Sequence, residues 1–273
     1  MKTFTDKVVV VTGAGSGIGR ATALAFAKKG ALLAVCDKDA KGLDETAKML
    51  TDISAKEPLS VVLDITDAKE AEQFAEEVKS RFGGAHILVN NAGIEGRAKP
   101  VWATEDAVFR RVMEVNYFAV VRLTQLFLPH MRARNEGVIV NVSSIFGLIG
   151  TPNHADYCAS KFAVRGFTEA LMCELQESPI QVHLLHPGGI ATNIAQANES
   201  QPFAQHFLKT PPEQLAEHLL HSISKNKPRI VYGSGAFRAW LGTRLLPLGL
   251  QCKAAWLELK KVIDLSDYPR HKQ

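Results

Sequence analysis

Tyr157 and Lys161 stand four residues apart in Tyr157-Cys158-Ala159-Ser160-Lys161, so on a helix they share one face and reach one another. A free phenol has a pKa of about 10 and is a poor base at neutral pH, and a neighbouring ammonium favours the phenolate. Bringing it to 7 or 8 needs two to three units, about 3 to 4 kcal/mol of differential stabilisation. The chemistry such a pair can do is proton transfer to and from an oxygen. Ser144, closing Asn141-Val142-Ser143-Ser144, offers a hydroxyl that can bond the same oxygen. Asn116, in Glu114-Val115-Asn116-Tyr117, falls between two helical segments, where a side-chain amide can hold a kink or a water linked to Lys161.

A second group of residues suits a ligand with phosphates. A β-branched run leads directly into Thr12-Gly13-Ala14-Gly15-Ser16-Gly17-Ile18-Gly19-Arg20 and then an amphipathic helix. That is the strand–turn–helix context of a dinucleotide site, with glycines admitting the pyrophosphate and the helix N-terminus facing it. Asp37 ends the second run, about twenty residues further on, where a carboxylate accepts ribose hydroxyls and repels a 2′-phosphate. NAD is favoured on that ground; the adjacent Lys38 leaves NADP open, and Asp37 also reads as an ordinary strand-end cap. Asp64 in Leu63-Asp64-Ile65 can face an adenine amino group or serve as a turn residue. Asn90-Asn91-Ala92-Gly93 combines small and amide side chains, which suits a backbone passing close to a bound ligand.

The elements that must position these residues alternate. Short apolar runs at 7–12, 31–36, 59–63, 86–89, 138–142 and 181–185, with a seventh strand at 229–232, are separated by helical periods. The helices read as 17–29, 40–53, 67–82, 104–115, 117–134, 155–177 and 212–225. Continuous rather than alternating apolar runs imply a parallel sheet covered on both faces, an α/β doubly wound Rossmann-type architecture in a single domain. Residues 1–235 form the expected catalytic domain, with a substrate loop at about 188–210. Residues 236–273 form an amphipathic extension rich in Trp, Leu and basic residues. It suits a lid or an oligomer contact better than a helix lying on a membrane surface.

Composition narrows the classes. The 273 residues are 46% hydrophobic and 22% charged, with a net charge of +4 spread along the chain, so no basic stripe marks a nucleic-acid partner. Neither an h-region nor about 18 consecutive apolar residues occur, so a secretion signal and a spanning helix are not expected and the location reads as cytoplasmic. Cys36, Cys158, Cys173 and Cys252 are far apart and read as reduced thiols. His183 and His186 read as satisfied core or edge histidines and His154 as a polar loop residue near the cleft. His218 and His221 have metal-capable spacing without a third ligand, so no metal is expected.

Together these motifs resemble the short-chain dehydrogenase/reductase family in its form of about 250 residues. The resemblance runs from Lys7 to about Thr192. It rests on Thr12-Gly13-x-x-x-Gly17-Ile18-Gly19, Asn90-Asn91-Ala92-Gly93, Asn116, Ser144 thirteen residues before Tyr157, Tyr157-x-x-x-Lys161 and Pro187-Gly188-Gly189-Ile190-Ala191-Thr192. It implies an NAD(P)-dependent oxidoreductase with Tyr157 as acid/base and Ser144 orienting the substrate oxygen. Lys161 lowers the tyrosine pKa and bonds the nicotinamide ribose, and Asn116 completes a water-linked relay. The cofactor residues it implies are Gly13, Ser16, Gly17, Ile18, Gly19, Asp37, Asp64, Ile65, Asn91, Ala92 and Gly93, with Pro187, Gly188, Ile190 and Thr192 on the nicotinamide side. A homodimer or homotetramer is implied by analogy. Ile94, Phe146, Leu148, Ile149, Ile194, Phe203 and Phe207 suggest a hydrophobic secondary alcohol or its ketone. The rivals are a non-catalytic cofactor sensor or scaffold on the same fold and, with less room for it, a sugar-nucleotide epimerase.

Overall fold

The strand Val8–Thr12 (β1) is buried along its whole length because its side chains enter two different cores. Val9 and Val11 belong to one, Val8 and Val10 to the other, the two-residue period of a strand covered on both faces. The computed structural model describes residues 1–53, 56–192, 194 and 200–268. Around β1 the strands Leu32–Asp37 (β2), Leu59–Val62 (β3), Ile87–Asn90 (β4), Val138–Val142 (β5), Gln181–Pro187 (β6) and Arg229–Tyr232 (β7) form one sheet. Its order is β3-β2-β1-β4-β5-β6-β7, and every pairing is parallel.

The first core lies under the helices Gly17–Ala27 (α1), Ala40–Ile53 (α2) and Pro212–Ser224, with Phe26, Leu43, Leu50, Leu215 and Leu219 packed together. The second lies under Ala68–Phe82 (α3), Ala119–Arg134 and Ala155–Glu174, with Phe74, Leu123, Phe127, Met131 and Leu171. Helix α3 shows how the local sequence sets the boundaries. The Asp67 carboxylate caps its start by accepting from the amides of Lys69 and Glu70, and Gly83 ends it at φ 74°.

In chain order the remaining helices are Asp106–Met113 (α4), Ala119–Arg134 (α5), Ala155–Glu174 (α6), Gln201–Phe207 (α7), Pro212–Ser224 (α8), Ala236–Leu245 (α9) and Leu248–Leu259 (α10). The two helices expected at 104–115 and 117–134 are one run, α4 and α5 joined by a π-helical turn at Glu114–Phe118. The region 188–210 is less irregular than expected, since it contains α7 and the bridges Gly189–Ser234 and Ile190–Thr210. Residues 193 and 195–199 of that loop and 269–273 of the extension lie outside the described residues.

Sheet order decides where a site can form. Strands β1 to β3 run outward one way, and β4 returns to the free edge of β1, so a crevice opens beyond the ends of β1 and β4. A buried polar ladder fixes the register there. Asn90 donates to Asn141 Oδ1 at 2.8 Å, and Asn141 donates to Thr168 Oγ1 of α6 at 3.0 Å. The segment after α10 is strapped back over the same edge of the sheet. Tyr268 donates to Asn153 Oδ1 at 2.6 Å, Asn153 donates to the Asp264 carbonyl at 3.0 Å, and Lys99 pairs with Asp267 at 2.9 Å.

Candidate active site

The loop after β1 is held open by groups that leave no room for side chains. Gly13 has φ 65°, and a Cβ there would lie 2.7 Å from the Ala92 backbone; one on Gly19 would meet the Gly13 carbonyl at 2.0 Å. Thr12 Oγ1 accepts from the amides of Asn91 and Ala92, and the Asn91 side chain donates to the Thr12 and Gly13 carbonyls at 2.9 and 3.2 Å. From below, Arg20 Nε donates to Thr46 Oγ1 at 2.9 Å, and Thr46 donates to the Ala14 carbonyl at 2.8 Å. Arg20 and Thr46 were not singled out from the sequence; the basic residue of the glycine motif was the signal available. Helix α1 starts at Gly17 with no acidic residue in its first turn, which leaves its N-terminal amides to an anion.

Gly13, Gly15, Ser16, Gly17 and Ile18 line one end of a cavity of about 740 Å³ whose other end is lined by Ser144, Tyr157 and Lys161. Every residue expected to bind cofactor or take part in chemistry lines it except Gly19 and Asn116. Gly19 packs behind Gly13. Asn116 is fully buried in the π-helical turn, where its Oδ1 accepts from the Ile94 amide at 2.8 Å. Its Nδ2 donates to the Ile94 carbonyl at 3.0 Å and Ser160 Oγ at 2.9 Å. The kink expected at Asn116 is therefore a π turn, a form common at functional sites.

Asp37 accepts from the Gly15 amide at 2.8 Å and the Asp39 amide at 2.9 Å, so it is both a turn cap and a carboxylate on the cavity wall. Asp64 is likewise a turn residue: Thr66 donates to it from backbone and hydroxyl, and Arg111 pairs with it at 3.2 Å. The turn-residue reading of each aspartate holds, and both line the cavity.

At the far end, α6 places Tyr157 and Lys161 one turn apart, with the ammonium 5.5 Å from the phenol ring centre. Lys161 donates to the Val142 carbonyl at 3.1 Å, and Ser143 Oγ donates to the Lys161 carbonyl at 2.9 Å, which ties α6 to the end of β5. Ser144 shares a hydrogen bond with the phenol. Burial, rather than the neighbouring Lys161, sets the net direction of the phenol's shift. Burial raises the Tyr157 phenol well above its usual value, the Ser144 hydrogen bond opposes that rise, and the Glu95 charge adds to it. Lys161 is itself pushed down to about 8 by burial.

Glu95 and His154 are further residues of the cavity. His154 Nε2 stands 3.4 Å from Glu95 Oε1, with the imidazole 2% exposed and the carboxylate 11% exposed. His154 is thus a buried wall residue and not the polar loop residue expected. Its Nδ1 meets the Pro152 carbonyl at 2.8 Å, and Phe146 and Phe203 pack on its ring. Asp156 sets the loop carrying Glu95, accepting from the Arg97 amide at 3.2 Å, and a Cβ on Gly96 would collide with it. Glu95 followed the Asn91-Ala92-Gly93 turn in sequence, but nothing in its spacing marked it. Of the apolar residues expected around a substrate, all line the cavity except Leu148, which is buried in the packing.

The histidines divide as their burial dictates. His183 and His186 are fully buried and only half satisfied, each with Nδ1 on a carbonyl and Nε2 without a partner. His218 stacks on Tyr232 at 4.3 Å. Among the described residues no group of three His, Cys, Asp or Glu could hold a metal ion, and no helix is long and apolar enough to cross a membrane.

Known proteins share this fold. The family model for short chain dehydrogenases matches residues 7–202. The chain is 40% identical over 245 residues to the "Putative oxidoreductase SadH" of Mycobacterium tuberculosis, covering 85% of this chain and 88% of that protein. It is 35% identical over 199 residues to the levodione reductase of Leifsonia aquatica, covering 72% and 74%. A crystal structure of a short chain dehydrogenase/reductase from Burkholderia phymatum in complex with NAD superposes with a TM-score of 0.82 at 28% identity, covering 99% of this chain and 100% of that one.

Proposed function

The chain belongs to the short-chain dehydrogenase family, and on that premise we propose that it interconverts a hydrophobic secondary alcohol and its ketone with a nicotinamide dinucleotide. One observation carries the reading: the glycine loop of β1 and α1 and the Ser144–Tyr157–Lys161 group line a single cavity. A nicotinamide dinucleotide, when bound, supplies or accepts the hydride. The cradle fits it, because Gly13 and Gly19 have no space for side chains and α1 presents an uncapped N-terminus.

The chain's own work is with the proton. In ketone reduction Tyr157 O–H gives its proton to the carbonyl oxygen as the C–H bond forms, and in alcohol oxidation the phenolate takes the hydroxyl proton. Ser144 Oγ holds the substrate oxygen against the phenol. Lys161 stabilises the phenolate once it forms and offers its ammonium to the ribose. Gly93 leaves the relay its space: the point where its Cβ would lie is 3.2 Å from Asn116 Oδ1 and 3.3 Å from Lys161 Nζ, a gap suited to one bridging water. Asn116 acts as a positioning residue around that gap. Asp37 selects NAD over NADP by accepting from the ribose and repelling a 2′-phosphate.

The test follows absorbance of the reduced nicotinamide while the protein meets secondary alcohols and ketones with NAD(H) and NADP(H), beside Tyr157→Phe. Turnover absent from the variant supports the reading. Tight dinucleotide binding with no turnover in either direction favours the sensor.

A further inference from the structure

Helices α9 and α10 have an inner and an outer surface of different kinds. Ala239, Gly242, Ala255 and Leu259 line the cavity. Outside, Phe237, Leu241 and Leu245 recur at four-residue steps along α9, one stripe of a helix, and are 64%, 38% and 70% exposed. Along α10 exposed leucine and lysine share a stripe in the order Leu250, Lys253, Leu257, Lys260. The stretch from the last residue of α9 through the first turn of α10, residues 245–250, reads Leu-Leu-Pro-Leu-Gly-Leu, and every one of the six is exposed, Leu248 at 74%. Scattered exposed leucines need no explanation, but a contiguous exposed run marks a surface that something covers.

The charge around it identifies the cover. Away from the cavity, residues 236–261 carry exposed Arg244, Lys253, Lys260 and Lys261 and no carboxylate, a charge of +4, while Arg238 and Glu258 line the cavity and offset one another. The Arg244 guanidinium lies 4.6 Å from the Trp240 ring centre. Exposed apolar side chains where the two helices meet, flanked by Trp and by long cations that can reach past them, match the headgroup layer of an anionic bilayer. Against the lid or oligomer contact expected from the sequence pattern alone, the exposed run leads us to propose that α9, α10 and the turn between them dock this protein on an anionic phospholipid surface, with Leu245, Leu248 and Leu250 inserted among the acyl chains.

The docking site is continuous with the cavity, because Leu246 of the same turn is 41% exposed and also lines the cavity wall. An apolar alcohol or ketone dissolved in the bilayer would then enter between α9 and α10 without crossing water. This last step rests on the catalytic reading above; the docking does not.

The experiment is co-sedimentation of the whole chain with vesicles of phosphatidylcholine alone or with about 30% phosphatidylglycerol, beside Leu245→Ser/Leu248→Ser and Arg244→Glu/Lys253→Glu. Neither pair lines the cavity. The expected result is binding to the anionic vesicles that weakens with salt. It falls at least ~10-fold in the leucine variant and by ~5-fold or more per charge in the other, with dinucleotide binding unchanged as the check on folding. No binding to either vesicle, or binding that the variants leave intact, overturns the proposal. So does a dimer in sedimentation velocity that Leu245→Ser/Leu248→Ser dissolves while vesicles bind neither form, since a second copy then covers the face. Sedimentation needs no turnover, so a failed alcohol and ketone panel would count against the catalytic reading and leave this result standing.

Discussion

The imidazole of His186 donates from Nδ1 to the carbonyl of Ser144 across 2.8 Å, beneath the serine that faces the phenol. His186 is fully buried, and burial pushes its pKa down to about 4, with Arg229 and Arg165 adding to the fall. A histidine depressed in the folded state protonates first in the unfolded chain. Its contribution to stability is therefore complete above pH 6.5 and is lost as pH falls from 6.5 to about 4. The loss is at most on the order of 3 kcal/mol. His186→Asn keeps a donor near the Nδ1 position without the titration, so its unfolding midpoint should fall less steeply than the wild type's across that window. Parallel urea titrations at pH 7 and pH 4.5 would show it, and parallel slopes would refute it.

Tyr157→Phe should lower turnover ~10²- to 10⁴-fold in both directions while dinucleotide affinity is largely kept. Burial holds the phenol protonated, so ketone reduction should be flat through neutral pH and decline only as Lys161 loses its proton near its value of about 8. Alcohol oxidation, which needs the phenolate, should rise with pH. A reduction rate that climbs between pH 7 and 9 would contradict this assignment of acid and cation.

Glu95 adds a negative charge beside the phenol and raises its proton affinity, after burial has done so and against the Ser144 bond. Glu95→Gln removes the charge and keeps the shape. The alkaline limb of alcohol oxidation should move to lower pH, and an unmoved limb would mean that the carboxylate does not act on Tyr157.

Gly93→Ala tests the gap between Asn116 and Lys161. A methyl there sits 3.2 to 3.3 Å from both polar atoms, tight for carbon and sufficient to exclude a water. Turnover should fall by about tenfold or more, by analogy with removing one positioned proton-transfer contact, while the KM for dinucleotide changes little. A rate equal to wild type would remove the water from the relay.

Asp37→Ser should shift cofactor choice toward NADPH, with Lys38 beside it on the cavity wall. Hydrogen bonds to a charged group contribute about 1.5 to 3 kcal/mol, so the ratio of kcat/KM for NADH over NADPH should drop about 10- to 100-fold. Measuring both cofactors at one pH with one substrate decides it.

The architecture and most of the cavity were legible because they depend on local pattern. Val8 to Val11 announce a strand buried on both faces, and the Tyr157–Lys161 spacing requires only a helix. Asn116 was read at the junction of two helical periods, and the structure puts a π turn there. What was not legible depends on tertiary placement. The net direction of the phenol's pKa turns on burial that four-residue spacing cannot report. His154 and Glu95 meet only because α6 packs against the turn after β4, 59 residues apart in sequence at Arg97 and Asp156. The Pro212 start of α8 was readable, but α7 was not, its seven residues being too short for a period to emerge.

The strand order carries a consequence for how the chain is made. β1, β2 and β3 all lie within the first 62 residues and already form one side of the sheet. β4 then adds to the open edge of β1, and β5, β6 and β7 each add to the strand synthesised just before. No strand waits for a partner not yet translated, so the sheet can grow on the ribosome in the order it is read. Among the described residues α9, α10 and the strap to Asn153 follow the last strand, so the cavity gains its outer wall after the sheet is complete.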